Sequence, residues 1–186
     1  LPVENNLLDF QNYILFETGY PLEFYDLDKI YSKIESPNFQ LYLATLTDHL
    51  NFSASNGKDL SINESAVVLK ANDLPISIAG IISHIETSYK NTTKTLLIEA
   101  SIFNAAKIRQ QSRLVGVRTD RSSRYEKSIK NITLLESLYR LISLLRIANP
   151  KLCCKLHTLI QPEKAIVKKI QLDYKKVKQV LGPIQR

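Results

Sequence analysis

The spacing of apolar residues predicts a helix at the beginning of the chain and a long segment of strands after it. Between Asn5 and Thr18 apolar side chains recur at helical spacing, and Gly19 and Pro21 end the pattern. This stripe consists of Leu7, Leu8, Phe10, Tyr13, Ile14 and Leu15. From Asn38 to Ser101, short aliphatic or β-branched runs alternate with polar turns; the runs are LYLAT, AVVLK, PISIAGII and TLLIEAS. We expect a mixed, mainly antiparallel sheet here.

Helical patterns return after the strands. Asn104 has the side chain of a helix N-cap, and the helix AAKIRQQSRLV that follows it closes at Gly116. The segment from Thr119 to Ala148 is predicted as helix, with Pro150 ending it. Its apolar stripe is expected to be core and comprises Leu134, Leu135, Leu138, Leu141, Ile142 and Leu145.

The last part of the chain has the pattern of a separate small unit. AIVKKIQLD is typical of a strand, and YKKVKQVLG of a helix with a glycine stop. We therefore predict a first domain at residues 1–150, with a linker and the truncated start of a second domain at 151–186. The predicted fold class is α+β, with helices packed on the sheet.

Charge is distributed unevenly along the chain. Residues 1–104 carry six Lys or Arg against 13 Asp or Glu, whereas residues 105–186 carry 19 against five. Such asymmetry indicates that the second half faces a polyanion such as RNA, and the alternative is a solvated basic face.

Composition gives expectations about the cellular compartment of the protein. No apolar run approaches the roughly 18 residues of a membrane span. Leu1 opens the chain without a signal pattern, which favours an interior segment. The adjacent Cys153 and Cys154 can form only a strained bridge, which favours a reducing compartment. A bias to Asn, Lys, Ile and Tyr is typical of A+T-rich codons and hints at an organelle or a reduced bacterial genome.

Three blocks of residues match the sequence pattern of one known protein family. DFQNYILFETGYPLEFYD at 9–26 follows the pattern Asp-x-Thr-Asn-Tyr-Val-Leu-x-Glu-x-Gly-Gln-Pro-Leu-His-Ala-Phe-Asp without a gap. IAGI at 78–81 and EASIF at 99–103 form the second block, and GVRTD followed by SRYE, within 116–126, forms the third. Together these blocks resemble the editing module of the bacterial-type phenylalanyl-tRNA synthetase beta subunit. The resemblance extends from Val3 to about Lys130, and Pro162 to Gly182 resembles the start of the next small domain of that subunit.

The resemblance implies a heterotetramer of two alpha and two beta subunits that joins phenylalanine to its tRNA. The expected partners are the alpha subunit and phenylalanine tRNA, and the holoenzyme would use ATP and Mg²⁺. No cofactor is expected in this fragment, because the family's aminoacylation site lies on the other subunit. In the family this module hydrolyses tRNA mischarged with tyrosine. The plastid stroma is the expected compartment, and the bacterial cytoplasm is the alternative.

Carried over position by position, the resemblance implies an editing pocket. Asn12 would help to place the aminoacyl ester, while the Gly80 N–H and the Glu99 carboxylate would contact the phenolic hydroxyl. Ala79 would supply room. A buried acceptor favours tyrosine over phenylalanine, because a missing hydroxyl would leave it unpaired. The candidate RNA contacts are Arg109, Arg113, Arg118 and Arg124.

Three family positions are changed in this sequence, and all three touch the expected pocket. Glu23 replaces a histidine, Ile82-Ser83-His84 replaces small residues, and Arg121 replaces an alanine. A guanidinium would occupy the space of an aromatic ring, and a carboxylate lacks the combined donor and acceptor capacity of neutral imidazole. We therefore hypothesise that editing is weakened or lost.

Structural interpretations compete with these roles. Asn12 could cap a helix or bond to backbone, and Glu99 could form an ion pair with Arg109, Arg118 or Arg124. Glu126 with Arg124 favours a structural pair. The chain as a whole could be a non-catalytic RNA-binding or subunit-assembly scaffold, or a stand-alone deacylase, against which the apparent second domain argues. We expect no metal site, since His49, His84 and His157 lack metal-ligand spacing.

Overall fold

A computed structural model describes residues 6–36, 38–130, 132–157 and 169–182. Its described helices are α1 (Asn6–Thr18), α2 (Leu27–Ile34), α3 (Ala105–Val115), α4 (Asp120–Tyr125), α5 (Ile132–Ala148) and α6 (Tyr174–Leu181). The strands are β1 (Glu23–Asp26), β2 (Leu41–Thr45), β3 (Leu50–Ser53), β4 (Asp59–Ile62), β5 (Val67–Ala71), β6 (Leu74–Ile78), β7 (Ile82–Ser83) and β8 (Leu96–Glu99). The structure confirms the predicted α+β class. The chain divides into two compact units, Leu1–Leu156 and His157–Arg186.

The strands of the first unit form three small antiparallel sheets. The largest has the order β2-β5-β6-β7, while β1 pairs with β8 and β3 pairs with β4. Two isolated bridges, Tyr25 with Ser88 and Ala54 with His84, link segments outside these ladders. Because β1 and β8 lie 70 residues apart in sequence, their pairing joins the N-terminal helical region to the end of the strand region.

Helices α1 and α5 pack on each other and share an apolar core with β1. Ile14, Phe24 and Leu141 are almost fully buried in this core. The predicted stripes overlap the observed core only in part, because Tyr13 of α1 and Leu135 of α5 are 47% and 41% exposed. Both helices therefore bury a narrower face than the sequence indicated.

Helix α3 has the predicted bounds. The Asn104 side chain accepts hydrogen bonds from the backbone N–H groups of Ala106 and Lys107, and Gly116 adopts the left-handed conformation that ends the helix. The buried Gln111 side chain attaches α3 to the largest sheet. It accepts from the Val67 N–H and donates to the carbonyls of Val67 and Ala79.

The helix predicted from Thr119 to Ala148 is two helices, so this prediction was wrong for residues 126–130. Helix α4 ends at Tyr125, and α5 begins at Ile132. Ser128 lies between them with a positive φ of 60°, a conformation outside the helical region. The break separates a short helix that carries the candidate site from the long helix of the core.

In the second unit the described segment contains α6, which begins at Tyr174 and is followed by Gly182, as predicted. Its N-cap is Asp173, which the sequence analysis assigned to a strand. Of the strand predicted at 165–173, residues 165–168 lie outside the described residues. Residues 169–173 have no regular secondary structure, so the strand prediction was wrong there.

Candidate functional site

A buried cluster of charges lies beside the β1–β8 pair. Glu23 and Glu99 face each other directly in the register of these two strands. Like charges at such paired positions destabilise a sheet unless a cation neutralises them. Arg121 provides that cation, with Nη2 at 2.8 Å from Glu99 Oε2 and Nη1 at 3.3 Å from Glu23 Oε2.

Local hydrogen bonds fix the start of α4 and so place Arg121. Thr119 is the N-cap, and its hydroxyl accepts from the Ser122 N–H, while the Thr119 N–H donates to the Ser122 hydroxyl. The same Thr119 hydroxyl donates to the carbonyl of Ile81 at 2.9 Å. This capping box therefore ties the first turn of α4 to the end of the sheet region.

The cluster is almost closed to solvent. The side chains of Arg121, Glu23 and Glu99 are 7%, 15% and 10% exposed. Although the nitrogen-to-oxygen distances are those of ion pairs, none of the three guanidinium nitrogens of Arg121 has a hydrogen-bond partner among the described residues. The pairing is therefore mainly electrostatic, and its strength depends on the exclusion of water.

Tyrosine rings surround the charges. The Tyr25 hydroxyl donates to Glu99 Oε2 at 2.6 Å, and the guanidinium carbon of Arg121 lies 5.9 Å from the centre of the Tyr125 ring. Burial raises the pKa of Tyr25 well above its ordinary value, and the Glu99 carboxylate raises it further. The Tyr25 hydroxyl therefore stays protonated and acts as a donor.

The cluster holds one guanidinium against two carboxyl groups. Burial raises the pKa of Glu23, against the opposing effects of Arg121 and of a hydrogen bond from Ser83, and repulsion by Glu99 raises it further. Burial alone would lower the pKa of Arg121, but Glu99 and Glu23 raise it well above its ordinary value. Arg121 is therefore always charged, and Glu23 gains a proton more easily than a glutamate in water would.

A cleft of about 510 Å³ opens beside this cluster. Three predicted pocket residues, Asn12, Glu23 and Arg121, line it. The side chain of the half-buried Asn12 makes no hydrogen bond with any described residue, so neither the capping role nor the backbone bond considered for this side chain is observed. The other lining residues are Gln11, Leu15, Pro21, Leu22, Ser55, Asn56, Ile81, Ile82, Ser83, Thr119 and Asp120.

The other three predicted pocket residues do not line this cleft. Glu99 is engaged by Arg121 and Tyr25. Ala79 is buried, and its carbonyl accepts a hydrogen bond from Gln111. Gly80 has a φ of 69°, and a Cβ atom there would lie 2.6 Å from Ile108 Cδ1. The predicted set is therefore divided between an open cleft and a closed interior.

A second cleft, of about 360 Å³, is lined by three of the four predicted RNA contacts. These are Arg109, Arg113 and Arg118; the others along its wall are Ser112, Gly116, Val117 and Glu126. Arg124 does not line it. Arg109 donates to the Glu126 carbonyl at 3.1 Å, and Arg118 lies 3.6 Å from the Glu126 carboxylate.

The structure corrects two of the ion pairs considered from sequence. Glu99 pairs with Arg121, not with Arg109, Arg118 or Arg124. Glu126 pairs with Arg118, not with Arg124.

Sequence reasoning missed Tyr25, whose hydroxyl reaches Glu99. A signal for it was present, since Tyr25 stands at a position where the family pattern has phenylalanine. The added hydroxyl is the group that makes the contact.

Within the part of the chain that the structure describes, no group of three or more His, Cys, Asp or Glu side chains could hold a metal ion. A search of the same residues finds no helix with the length and apolar character needed to cross a membrane.

Comparison with known proteins identifies the family. The profile of the B3/4 domain family matches residues 1–149. The chain is 53% identical over 182 residues to a protein named phenylalanine–tRNA ligase beta subunit, chloroplastic, from Phaeodactylum tricornutum, covering 98% of this chain and 26% of that relative. It is 34% identical to a phenylalanine–tRNA ligase beta subunit from Prochlorococcus marinus, covering 97% of this chain and 22% of the relative. The chain thus spans about a quarter of the length of these relatives. It belongs to the B3/4 domain family and is similar to phenylalanine–tRNA ligase beta subunits, as the sequence resemblance predicted.

Proposed function

We propose that this chain is the B3/4 module of a phenylalanine–tRNA ligase beta subunit in which Arg121 closes the tyrosine-reading pocket, so that the module acts as a scaffold and not as an editing hydrolase. The full protein would join phenylalanine to phenylalanine tRNA with ATP and Mg²⁺, together with an alpha subunit. Those cofactors would be held elsewhere in the assembly. The name of the Phaeodactylum relative supports a plastid protein, with the stroma as the proposed compartment and the bacterial cytoplasm as the alternative.

One observation supports the proposed loss of editing. Reading a phenolic hydroxyl requires an acceptor that the substrate can reach, and Glu99 is the residue that the family resemblance gives that role. In this chain Glu99 Oε2 already accepts a phenolic hydroxyl from Tyr25 and is paired with the Arg121 guanidinium. The Tyr25 hydroxyl and the Arg121 guanidinium therefore occupy the Glu99 carboxylate, and a tyrosine substrate would have to displace them to reach it.

Opening the pocket would be costly. If Arg121 moved out, Glu23 and Glu99 would remain as buried carboxyl groups without their counter-ion, and breaking a buried ion pair in this way costs about 3–5 kcal/mol. Since each 1.4 kcal/mol is a factor of ten, the substrate would bind roughly 100- to several-thousand-fold more weakly than it would to an open pocket. Such a penalty is large enough to suppress editing of tyrosine-charged tRNA.

The two departures at Glu23 and Arg121 support each other physically. An arginine introduced alone would be buried with one counter-ion, and a glutamate introduced alone would face Glu99 directly across the strands. Together they form a cluster in which every charge has a neighbour of opposite sign. This complementarity supports a stable replacement of the family pocket by a structural one.

The test is release of tyrosine from tyrosine-charged phenylalanine tRNA by the full ligase. Four forms are compared: the natural enzyme, Arg121→Ala, the double variant Glu23→His with Arg121→Ala, and Arg140→Ala as an arginine control on the exposed face of α5. We expect the natural enzyme and the control to charge phenylalanine without releasing tyrosine. The double variant, which restores the family residues at two of the three changed positions, is expected to gain release.

The outcomes separate the two parts of the proposal. Rapid tyrosine release by the natural enzyme would overturn the scaffold assignment and make Asn12 and the cleft a working site. Failure of the full protein to charge phenylalanine would overturn the ligase assignment. If the double variant folds, charges phenylalanine and still releases no tyrosine, closure by Arg121 is not sufficient to explain the loss.

A further inference from the structure

The cleft at the end of α3 brings three guanidinium groups together. Arg109 and Arg113 lie one turn apart on the same helix, and Arg118 follows two residues after the glycine that ends it. All three line a cavity of about 360 Å³, which is larger than one phosphate group needs. We propose that this cleft binds phosphodiester groups of the RNA backbone.

Two of the arginine side chains contact Glu126 and the third contacts no acceptor among the described residues. Glu126 accepts from Arg109 through its carbonyl and contacts Arg118 through its carboxylate. The Arg113 side chain makes no hydrogen bond or ion pair with any residue that the structure describes. Because the forked donors of a guanidinium match phosphate oxygens, three guanidinium groups along one cleft are suited to a backbone phosphate.

The competing explanation is that these arginines compensate the negative end of the α3 dipole. That end carries roughly half an elementary charge, which a single cation in the last turn can offset. Arg113 already occupies the last turn. Even after Glu126 and the dipole are counted, the cleft keeps an excess of roughly one and a half positive charges. The excess is more than the helix end requires and leaves charge for an external anion.

The remaining wall of the cleft indicates binding to the backbone without recognition of bases. The Ser112 hydroxyl donates to the Val117 carbonyl at 2.6 Å and is therefore engaged within the protein. Gly116 offers no side chain, and Val117 is buried and apolar. Phosphate contacts of this kind position a nucleic acid and carry no sequence information.

Charge along the whole chain favours RNA as the source of the phosphate. The excess of basic residues lies entirely after residue 104, where this cleft is located, whereas the preceding segment is acidic. An acidic protein surface is the competing partner, and it becomes an outcome of the test. The inference rests on the proposed function in one respect, because the RNA expected to bind the cleft is the tRNA that the proposed ligase would charge.

The experiment measures binding of a transcribed phenylalanine tRNA to the full-length protein assembled with its partner subunit, between 50 and 200 mM salt. The double variant Arg113→Gln with Arg118→Gln removes two of the proposed contacts. Each phosphate contact contributes roughly 0.7–0.9 to the slope of log affinity against log salt. We therefore expect the slope to fall by about 1.5 and the affinity at 100 mM salt to fall roughly tenfold or more.

Two sets of variants control for other causes. Lys58→Gln with Lys94→Gln removes the same charge from exposed positions in the acidic part of the chain, and should leave the slope unchanged. Arg113→Lys with Arg118→Lys keeps the charge and should retain most of the slope. An equal loss in the Lys58 and Lys94 variant would overturn the proposal, because net charge alone would then explain the result.

The proposal also fails if the Arg113 and Arg118 variant binds tRNA with natural affinity and slope, or if it loses assembly with the partner subunit instead, which would indicate an acidic protein surface. Its failure is distinguishable from that of the proposed function. Binding is measured without aminoacylation, whereas the proposed function is tested by phenylalanine charging and tyrosine release in Arg121 variants.

Discussion

Replacing Arg121 with methionine should destabilise the protein more than any other change of a single charged residue described above. Methionine has a similar length and no charge, so the substitution removes the counter-ion while leaving most of the volume filled. Glu23 and Glu99 would then face each other across the β1–β8 pair with no cation between them.

The expected magnitude follows from burial. Removing one partner of a buried ion pair costs about 3–5 kcal/mol, because the remaining charge is neither hydrated nor paired. In a unit of this size, 1 kcal/mol shifts the unfolding temperature by about 2–4 °C. Arg121→Met should therefore lower the unfolding temperature by roughly 6–20 °C.

Arg140 provides a matched control. It contacts Glu17 through two nitrogens, at 2.9 and 3.0 Å, and so has better hydrogen-bond geometry than Arg121. However, its side chain is 44% exposed, and exposed ion pairs contribute little to stability. We expect Arg140→Met to leave the unfolding temperature almost unchanged.

Thermal unfolding of the 186-residue chain, followed by circular dichroism, makes the comparison. The triple variant Arg121→Met, Glu23→Gln and Glu99→Gln removes all three charges and should recover most of the lost stability, since neutral amides require no counter-ion. The reasoning would be refuted if Arg121→Met cost no more than Arg140→Met, or if the triple variant were less stable than Arg121→Met alone.

Two further predictions concern the same region. The pKa of Glu23 is raised in the folded state, so the folded protein binds a proton on Glu23 more tightly than the unfolded chain does. The contribution of this proton to the free energy of unfolding is therefore present below the ordinary pKa of 4.5 and is lost as pH rises through the folded pKa. Urea unfolding at a series of pH values should show this decline as the difference between the natural chain and Glu23→Gln, and a difference that grows in favour of the natural chain with rising pH would contradict it. Gly80→Ala should cost roughly 2–4 kcal/mol, because its Cβ would meet Ile108 at 2.6 Å in a left-handed conformation. Gly57→Ala, with a φ of 81° and nothing within 4 Å, should cost only the conformational part, about 1 kcal/mol, in the same thermal assay.

Local chemistry explains which elements could be predicted from the sequence. Helix α3 was predicted with its observed bounds, because an Asn N-cap and a Gly stop act within a single turn. The break between α4 and α5 was missed, because Ser128 takes a left-handed conformation without being glycine and no proline marks the interruption. The available local signal was Asn131, which is of a residue type common at helix N-caps and directly precedes Ile132 in the sequence.

The candidate site required information that no local pattern contains. Glu23 and Arg121 were recognised separately as departures from the family pattern, but 97 residues separate them and no periodicity links the two. Their pairing depends on the β1–β8 register and on the capping box of Thr119. Opposite charges at two changed positions of one expected pocket were the available clue, and they could have been read as a pair.

The Gln111 amide has a consequence for communication across the molecule. Its three hydrogen bonds to the sheet are 2.7, 3.0 and 3.2 Å long, and sliding α3 by one residue, about 1.5 Å, would break them all. Helix α3 therefore has a single stable position against the sheet. Allosteric coupling requires an element with two alternative arrangements, so we expect the arginine cleft and the buried charge cluster to be thermodynamically independent sites. The free-energy effects of Arg113 and Arg121 substitutions should then add.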